Sequence, residues 1–137
     1  MKVSLELDKN MRFIGKDSRN HLTYFDTTDK VGGDDSAATP MEVLLQALGA
    51  CTLMDVVSIL RKKRKTVEGI TLLIEGKRAE NHPKVFTDVH LSFELKSPDA
   101  ELKDLERSIE LSESTYCSVS AMFKRSGCNM SWQAKIL

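Results

Sequence analysis

The sequence predicts an α+β fold, and three observations carry that expectation. Short segments with apolar residues at every second position flank the chain's centre. A single long apolar run, Val43 to Leu60, lies behind a helix-start signature. The segments then come in the order β-β-β-α-β-β-α-α-β, in which strands and helices are not regularly alternated. A curved antiparallel sheet covering the long apolar helix satisfies all three.

Val3 to Leu7 alternates through Val3, Leu5 and Leu7, which predicts a strand. Met11 to Gly15 and Leu22 to Asp26 predict two further short strands in a meander. Thr27 to Thr39 reads as a loop, with Gly32-Gly33-Asp34-Asp35-Ser36 at its centre. These glycines lack the following Gly-Lys-Ser/Thr of a phosphate-binding loop, so they serve a turn. The loop leads into the long helix and is placed to line a site there.

Thr39-Pro40-Met41-Glu42 is the helix start. Threonine suits the cap, proline the first turn, and a glutamate three residues after the cap completes a capping box. The helix is expected to run to about Lys63, roughly 35 Å at 1.5 Å per residue. Ile70 to Glu75 and Val85 to Leu95 follow as strands. Val85, Thr87, Val89, Leu91, Phe93 and Leu95 form one face of the second. Asn81-His82-Pro83-Lys84 turns between them. Pro98 is expected to open a second helix with Leu102, Leu105, Ile109 and Tyr116 on one face. A third covers about Cys117 to Arg125 and stops at Gly127, and Asn129 to Ile136 closes the fold as a strand.

At 137 residues the chain is expected to form one domain, spanning 1–137. Its 20 basic and 20 acidic residues argue against a nucleic-acid or membrane-surface protein. The basic run Arg61-Lys62-Lys63-Arg64-Lys65 is explained by cations complementing a helix C-terminus. Gln46, Asp55, Thr52 and Ser58 count against a membrane-spanning role for the apolar run. A helix apolar on most faces is instead wrapped by a sheet or a second subunit. The first residues hold no signal-peptide core, and three cysteines without one imply a reducing cytoplasm.

The cysteines are the candidates for chemistry, against the alternative that position alone leaves open, in which Cys51 is an inert, small buried hydrophobe. Cys51 sits within Leu48-Gly49-Ala50-Cys51-Thr52, inside the apolar run, with Asp55 one turn on. That carboxylate raises a thiol pKa unless an arginine or lysine brought in by the fold offsets it, and the sequence offers Arg12, Arg19 and Arg78 without choosing among them. Cys117 follows Ser114-Thr115-Tyr116 where the third helix begins, so the helix dipole favours its thiolate. Ser118, Val119, Ser120 and Ala121 leave room beside it. Cys128 lies in neither context and is read as a bystander. His21, His82 and His90 show no metal-ligand spacing, and no metal or organic cofactor is implied. Met41, Met54 and Met122 suit an apolar core or pocket.

Thr39-Pro40-Met41-Glu42-Val43-Leu44-Leu45 and Leu48-Gly49-Ala50-Cys51, with Tyr116-Cys117-Ser118-Val119 later, resemble the OsmC/Ohr family, and within it the YhfA-like branch. The resemblance spans nearly the whole chain. It implies an intertwined homodimer with antiparallel sheets wrapped around long central helices. It also implies reduction of organic hydroperoxides: Cys51 attacks and becomes a sulfenic acid, Cys117 resolves it to a disulfide, and an external dithiol such as a lipoyl group restores both. The chain departs from the family pattern at one point. Peroxidase members place a glutamate where this chain has Met41, whereas its glutamate comes one residue later, at Glu42, about half a turn out of phase with Cys51. No arginine is assigned either. The alternative is a non-catalytic dimer of the same family that senses oxidation or binds a small apolar molecule.

Overall fold

A computed structural model describes residues 1–137. Six strands and three helices follow one another as β1 Val3–Lys9, β2 Arg12–Asp17, β3 Leu22–Phe25, α1 Pro40–Lys62, β4 Gly69–Arg78, β5 Phe86–Lys96, α2 Leu102–Leu111, α3 Ser118–Arg125 and β6 Asn129–Ile136. The predicted element order is therefore the observed one. Two compact units divide the chain, Met1–Gln46 and Ala47–Leu137, with the boundary inside α1.

In the first unit β1, β2 and β3 form an antiparallel meander. Asn10, with φ 51°, supplies the left-handed backbone that closes the β1–β2 hairpin. Period-two patterning makes these strands, but β1 is exposed along its whole length. Val3, Leu5 and Leu7 are 70%, 60% and 56% exposed. The loop that follows contains one 3₁₀ turn, Asp29–Val31, and is ordered by Asp26. That buried carboxylate accepts the Thr27 N–H at 2.8 Å, the Ser36 N–H at 3.0 Å and the Ser36 hydroxyl at 2.6 Å. Gly33 has to be glycine here, because a Cβ would stand 2.0 Å from the Thr27 carbonyl oxygen.

The capping box at the head of α1 forms as expected. Glu42 accepts the Thr39 N–H at 2.7 Å and the Thr39 hydroxyl at 2.9 Å, and its own N–H faces Thr39 Oγ1 at 3.4 Å. In the second unit one line of α1 is buried: Leu48, Thr52, Val56 and Leu60, all with no exposure. Four-residue spacing puts them on a single face, and each buried aliphatic side chain contributes about 2 kcal/mol. Gly49 on the same side lets the helix approach β4, since a Cβ there would lie 2.7 Å from Ile74 Cδ1. By length and composition α1 could cross a membrane, and its other apolar side chains are half-buried or exposed, with Met54 73% exposed.

The second sheet runs β4-β5-β6 and differs from expectation in two ways. The strands make two separate three-stranded sheets rather than one. And β6 pairs with β5 in parallel, so this sheet is mixed, not antiparallel. The cause is the connection: α2 and α3 carry the chain back along the sheet, and a helical crossover returns a strand in the same direction. The β5 face also shifts phase. Val89, Leu91, Phe93 and Leu95 point inward as predicted, but Phe86 is buried in place of Val85 and Thr87. A bulge explains it, because Lys77 pairs with Asp88 whereas Arg78 pairs with Phe86, leaving Thr87 unmatched.

Helix α2 begins later than Pro98, at Leu102. Glu101 caps it in a box with Asp104. The residues before it are used otherwise, since Asp99 accepts the Thr66 N–H at 2.8 Å and the Thr66 hydroxyl at 2.9 Å. Leu105 and Ile109 are fully buried, while Leu102 and Tyr116 are exposed rather than on the core face. A single π-helical turn, Ser112–Tyr116, breaks the register after Leu111 and rotates Tyr116 outward. Helix α3 ends as predicted, with Gly127 at φ 88° and the Cys128 N–H returning to the Phe123 carbonyl at 3.2 Å.

Candidate functional site

Two helices and a π-turn converge on the thiols. Within α1, Cys51 and Thr52 are adjacent, so they project in directions about 100° apart on the helix. Thr52 is fully buried, and its hydroxyl donates back to the Leu48 carbonyl at 3.1 Å. Cys51 is half-buried and keeps access to solvent.

Cys117 is the N-cap of α3, with φ −73° and ψ 103°. Its sulfur accepts the Ser120 N–H at 3.3 Å and lies 3.5 Å from Thr52 Oγ1. Its own N–H closes the π-turn on the Ser112 carbonyl at 2.9 Å. The structure thus brings Cys117 near the Cys51 thiol, close enough for that thiol to act on its ionisation. Cys117 is only 3% exposed. Burial pushes its thiol above the ordinary value. The Thr52 and Ser120 hydrogen bonds pull it back, and the neighbouring Cys51 thiol pushes it up further. The helix-start argument, which favours an easy thiolate at Cys117, is thereby corrected: desolvation outweighs the N-terminal N–H groups.

The acidic neighbours are arranged differently from expectation. Asp55 accepts a hydrogen bond from Ser112 Oγ at 2.9 Å. The carboxylate reaching into the site is Glu113, from the π-turn, with a side chain 8% exposed. Its Oε2 accepts the Ser120 hydroxyl at 2.8 Å and pairs with Lys124 Nζ at 3.2 Å. Its Oε1 lies 3.5 Å from Thr52 Oγ1. Lys124 also donates to the Glu113 carbonyl at 2.6 Å, which clamps the turn. Sequence reasoning missed Glu113, Ser120 and Thr52 as members of one network. The available signal was Ser112-Glu113-Ser114, a polar insertion immediately before the second cysteine.

The arginines have partners of their own. Arg12 bonds Asp8 at 3.1 Å and Ser36 Oγ at 3.0 Å, and stacks over Tyr24. Arg19 pairs with Asp17 at 3.3 Å, and Arg78 Nε donates to the Lys84 carbonyl at 2.8 Å. Cys128 is buried at the head of β6, where burial and then Asp88 push its thiol up. Its S–H donates to the Asn129 carbonyl at 3.7 Å. His21 meets Asp17 and His90 meets Ser131. No three His, Cys, Asp or Glu side chains are gathered as metal ligands would be.

A pair of neighbouring thiols on two helices, one half-buried and one sealed, is the arrangement to compare with known proteins. The OsmC-like protein family matches residues 33–133, a span that includes both cysteines. The chain belongs to the OsmC family. Protein YhfA of Escherichia coli K12 is 31% identical over 125 residues, covering 91% of this chain and 90% of YhfA. A hypothetical protein from Aquifex aeolicus VF5 superposes with a TM-score of 0.82 at 35% identity, over 99% of this chain and 96% of that one. An organic hydroperoxide resistance protein from Legionella pneumophila shares the fold, with a TM-score of 0.68 at 10% identity over 98% and 97% of the two chains. At that identity the likeness speaks for the OsmC fold alone.

Proposed function

We propose that this OsmC-family chain reduces organic hydroperoxides with Cys51 and Cys117. The observation that carries the reading is the nearness of a solvent-accessible Cys51 to a Cys117 that is 3% exposed. A peroxide reaches the first thiol and not the second, which orders the steps. The Cys51 thiolate attacks the terminal peroxide oxygen, the O–O bond breaks, and the alkoxide leaves as an alcohol after taking a proton. Cys51 is then a sulfenic acid. Cys117 attacks that sulfur, a disulfide forms, and the hydroxyl leaves as water. An external dithiol, such as a lipoyl group, reduces the disulfide by exchange.

The active form in this reading is an intertwined homodimer with the long helices central. Val3, Leu5 and Leu7 of β1 and Met54 of α1 are more than half exposed, and a second copy would remove them from water. Three free thiols suit a reducing cytoplasm. The test is peroxide consumption: reduced protein is mixed with cumene hydroperoxide and a dithiol. Turnover that is lost in Cys51→Ser is expected, and equal turnover by that variant would overturn the assignment.

A second reading rests on Glu42 and the arginines. Glu42 is held by Thr39, and Arg12, Arg19 and Arg78 have other partners, so the thiolate-activating circuit of peroxidases is not assembled from them. This favours a dimer of the family that senses oxidation or binds a small apolar molecule. Intact mass after one equivalent of peroxide separates the two. A loss of two hydrogens with no turnover in dithiol indicates a sensor, and no change in mass indicates a binder.

A further inference from the structure

We propose that Glu113, acting through the Thr52 hydroxyl, takes up the proton that Cys117 must lose when it closes its disulfide with Cys51. The proposal rests on the pairing of the two thiols above and adds a positioning residue to it.

The geometry is a short relay. Thr52 Oγ1 stands between Cys117 Sγ at 3.5 Å and Glu113 Oε1 at 3.5 Å. A hydroxyl has one hydrogen and two acceptor lone pairs, so it can receive a proton from sulfur on one side while releasing its own on the other. In the resting protein that hydrogen is directed to the Leu48 carbonyl at 3.1 Å. Rotation about one bond turns it to the carboxylate. Glu113 Oε2 is fully engaged by Ser120 and Lys124, which leaves Oε1 as the free acceptor. The Glu113 backbone is held as well, by Lys124 at its carbonyl.

The need for such a group follows from burial. A thiol attacks as its thiolate, and Cys117 is sealed from solvent water. Burial also pushes that thiol up, against its ionisation. When Cys117 attacks the Cys51 sulfenic acid, its S–H proton passes to Thr52 and the Thr52 proton to Glu113. An S–S bond forms, the Cys51 S–O bond breaks, the departing hydroxide takes a proton from solvent to leave as water, and Glu113 then returns its own proton to solvent. One sulfur is oxidised, the other reduced, and no net proton is consumed. The titratable and charged groups around this carboxylate are Lys124 on α3, Cys51 and Asp55 on α1, and Cys117 itself. Asp55 is turned to Ser112.

The test uses no peroxide. Full-length protein with Cys128→Ser is treated with one equivalent of a nitrobenzoate aromatic disulfide. Cys51 releases one coloured thiolate as it forms a mixed disulfide, and Cys117 releases the second as it displaces the remaining one. The second phase is followed between about pH 6 and 8. A nearly flat profile is expected. Glu113→Gln is expected to slow this phase about a hundredfold at the acid end, and to make it rise about tenfold per pH unit. Glu113→Asp restores part of the rate and the flat profile. Thr52→Val reproduces the loss and Thr52→Ser keeps the relay, so this pair decides the matter if Glu113→Gln fails to fold. A Glu113→Gln or Thr52→Val protein with the parent's rate and pH profile would overturn the relay. Absence of peroxide turnover would remove the hydroperoxide reading and leave this result intact.

Discussion

The Thr52 hydroxyl lies 3.5 Å from the Cys117 sulfur, across a sequence separation of 65 residues. Cys51 is the residue before Thr52, so this contact also fixes which way the two cysteine-bearing helices face. The pair of thiols is a consequence of how α1 and α3 pack.

Replacing Cys117 by serine is expected to leave Cys51 able to react once. The sulfenic acid then has no partner and persists. Trapping with a dimedone-type reagent, read by intact mass, should show stoichiometric adduct in Cys117→Ser and little in the parent. A parent that accumulates as much adduct as the variant would show that Cys117 does not resolve Cys51.

Gly33→Ala and Gly49→Ala should differ sharply. At position 33 the new methyl meets a backbone carbonyl at 2.0 Å, and a backbone held by Asp26 cannot move aside cheaply. A loss of at least about 2 kcal/mol is expected by urea unfolding. At position 49 the obstacle is the end of the Ile74 side chain at 2.7 Å, which can shift. There the helix gains about 1 kcal/mol from losing a glycine, against a repacking cost of similar size. A change within about 1 kcal/mol is expected.

Acid should loosen the loop before α1. The Ser36 hydroxyl, then the Thr27 N–H, hold the Asp26 carboxyl down to about 2. A folded-state pKa below the unfolded one contributes stability that is present above about pH 4 and is lost as pH falls through about 2. Urea midpoints at pH 5 and pH 2.5 should therefore differ less in Asp26→Asn than in the parent. An identical pH dependence in the two proteins would remove Asp26 from the account.

The capping box gives a smaller and more local effect. Thr39→Ala removes the acceptor for the Glu42 N–H and one of the two donors to its carboxylate. A cost of about 1 kcal/mol is expected by the same unfolding measurement. Peroxide turnover at saturating dithiol is expected to change less than twofold.

The exposed strand β1 tests the dimer. Leu5→Lys places a charge on a face where Leu5 is 60% exposed in the single chain. A partner burying that face would reject it, since an unpaired buried charge is strongly unfavourable. Sedimentation should show the parent at twice the chain mass and the variant shifted to the monomer. A parent that sediments as a monomer would remove the partner subunit from the reading.

Much was legible in the sequence alone. The element order, the capping box at Thr39 and Glu42, the stop at Gly127 and the strand Asn129–Ile136 depend on local signals: periodicity, capping residues and a left-handed glycine. The two cysteine motifs were enough to indicate the OsmC family. These features are short-range, so a one-dimensional pattern carries them. What only the tertiary structure decided is set by contacts between segments far apart in the chain. The helical crossover made β6 parallel to β5, and a bulge beside Arg78 turned Phe86 inward. Burial reversed the expectation for Cys117: local position gives it the donors of a helix start, but desolvation depends on what packs over the sulfur. Glu113 entered the site for the same reason. Its neighbours Thr52, Ser120 and Lys124 come from two other helices, and no spacing in the sequence brings those atoms together.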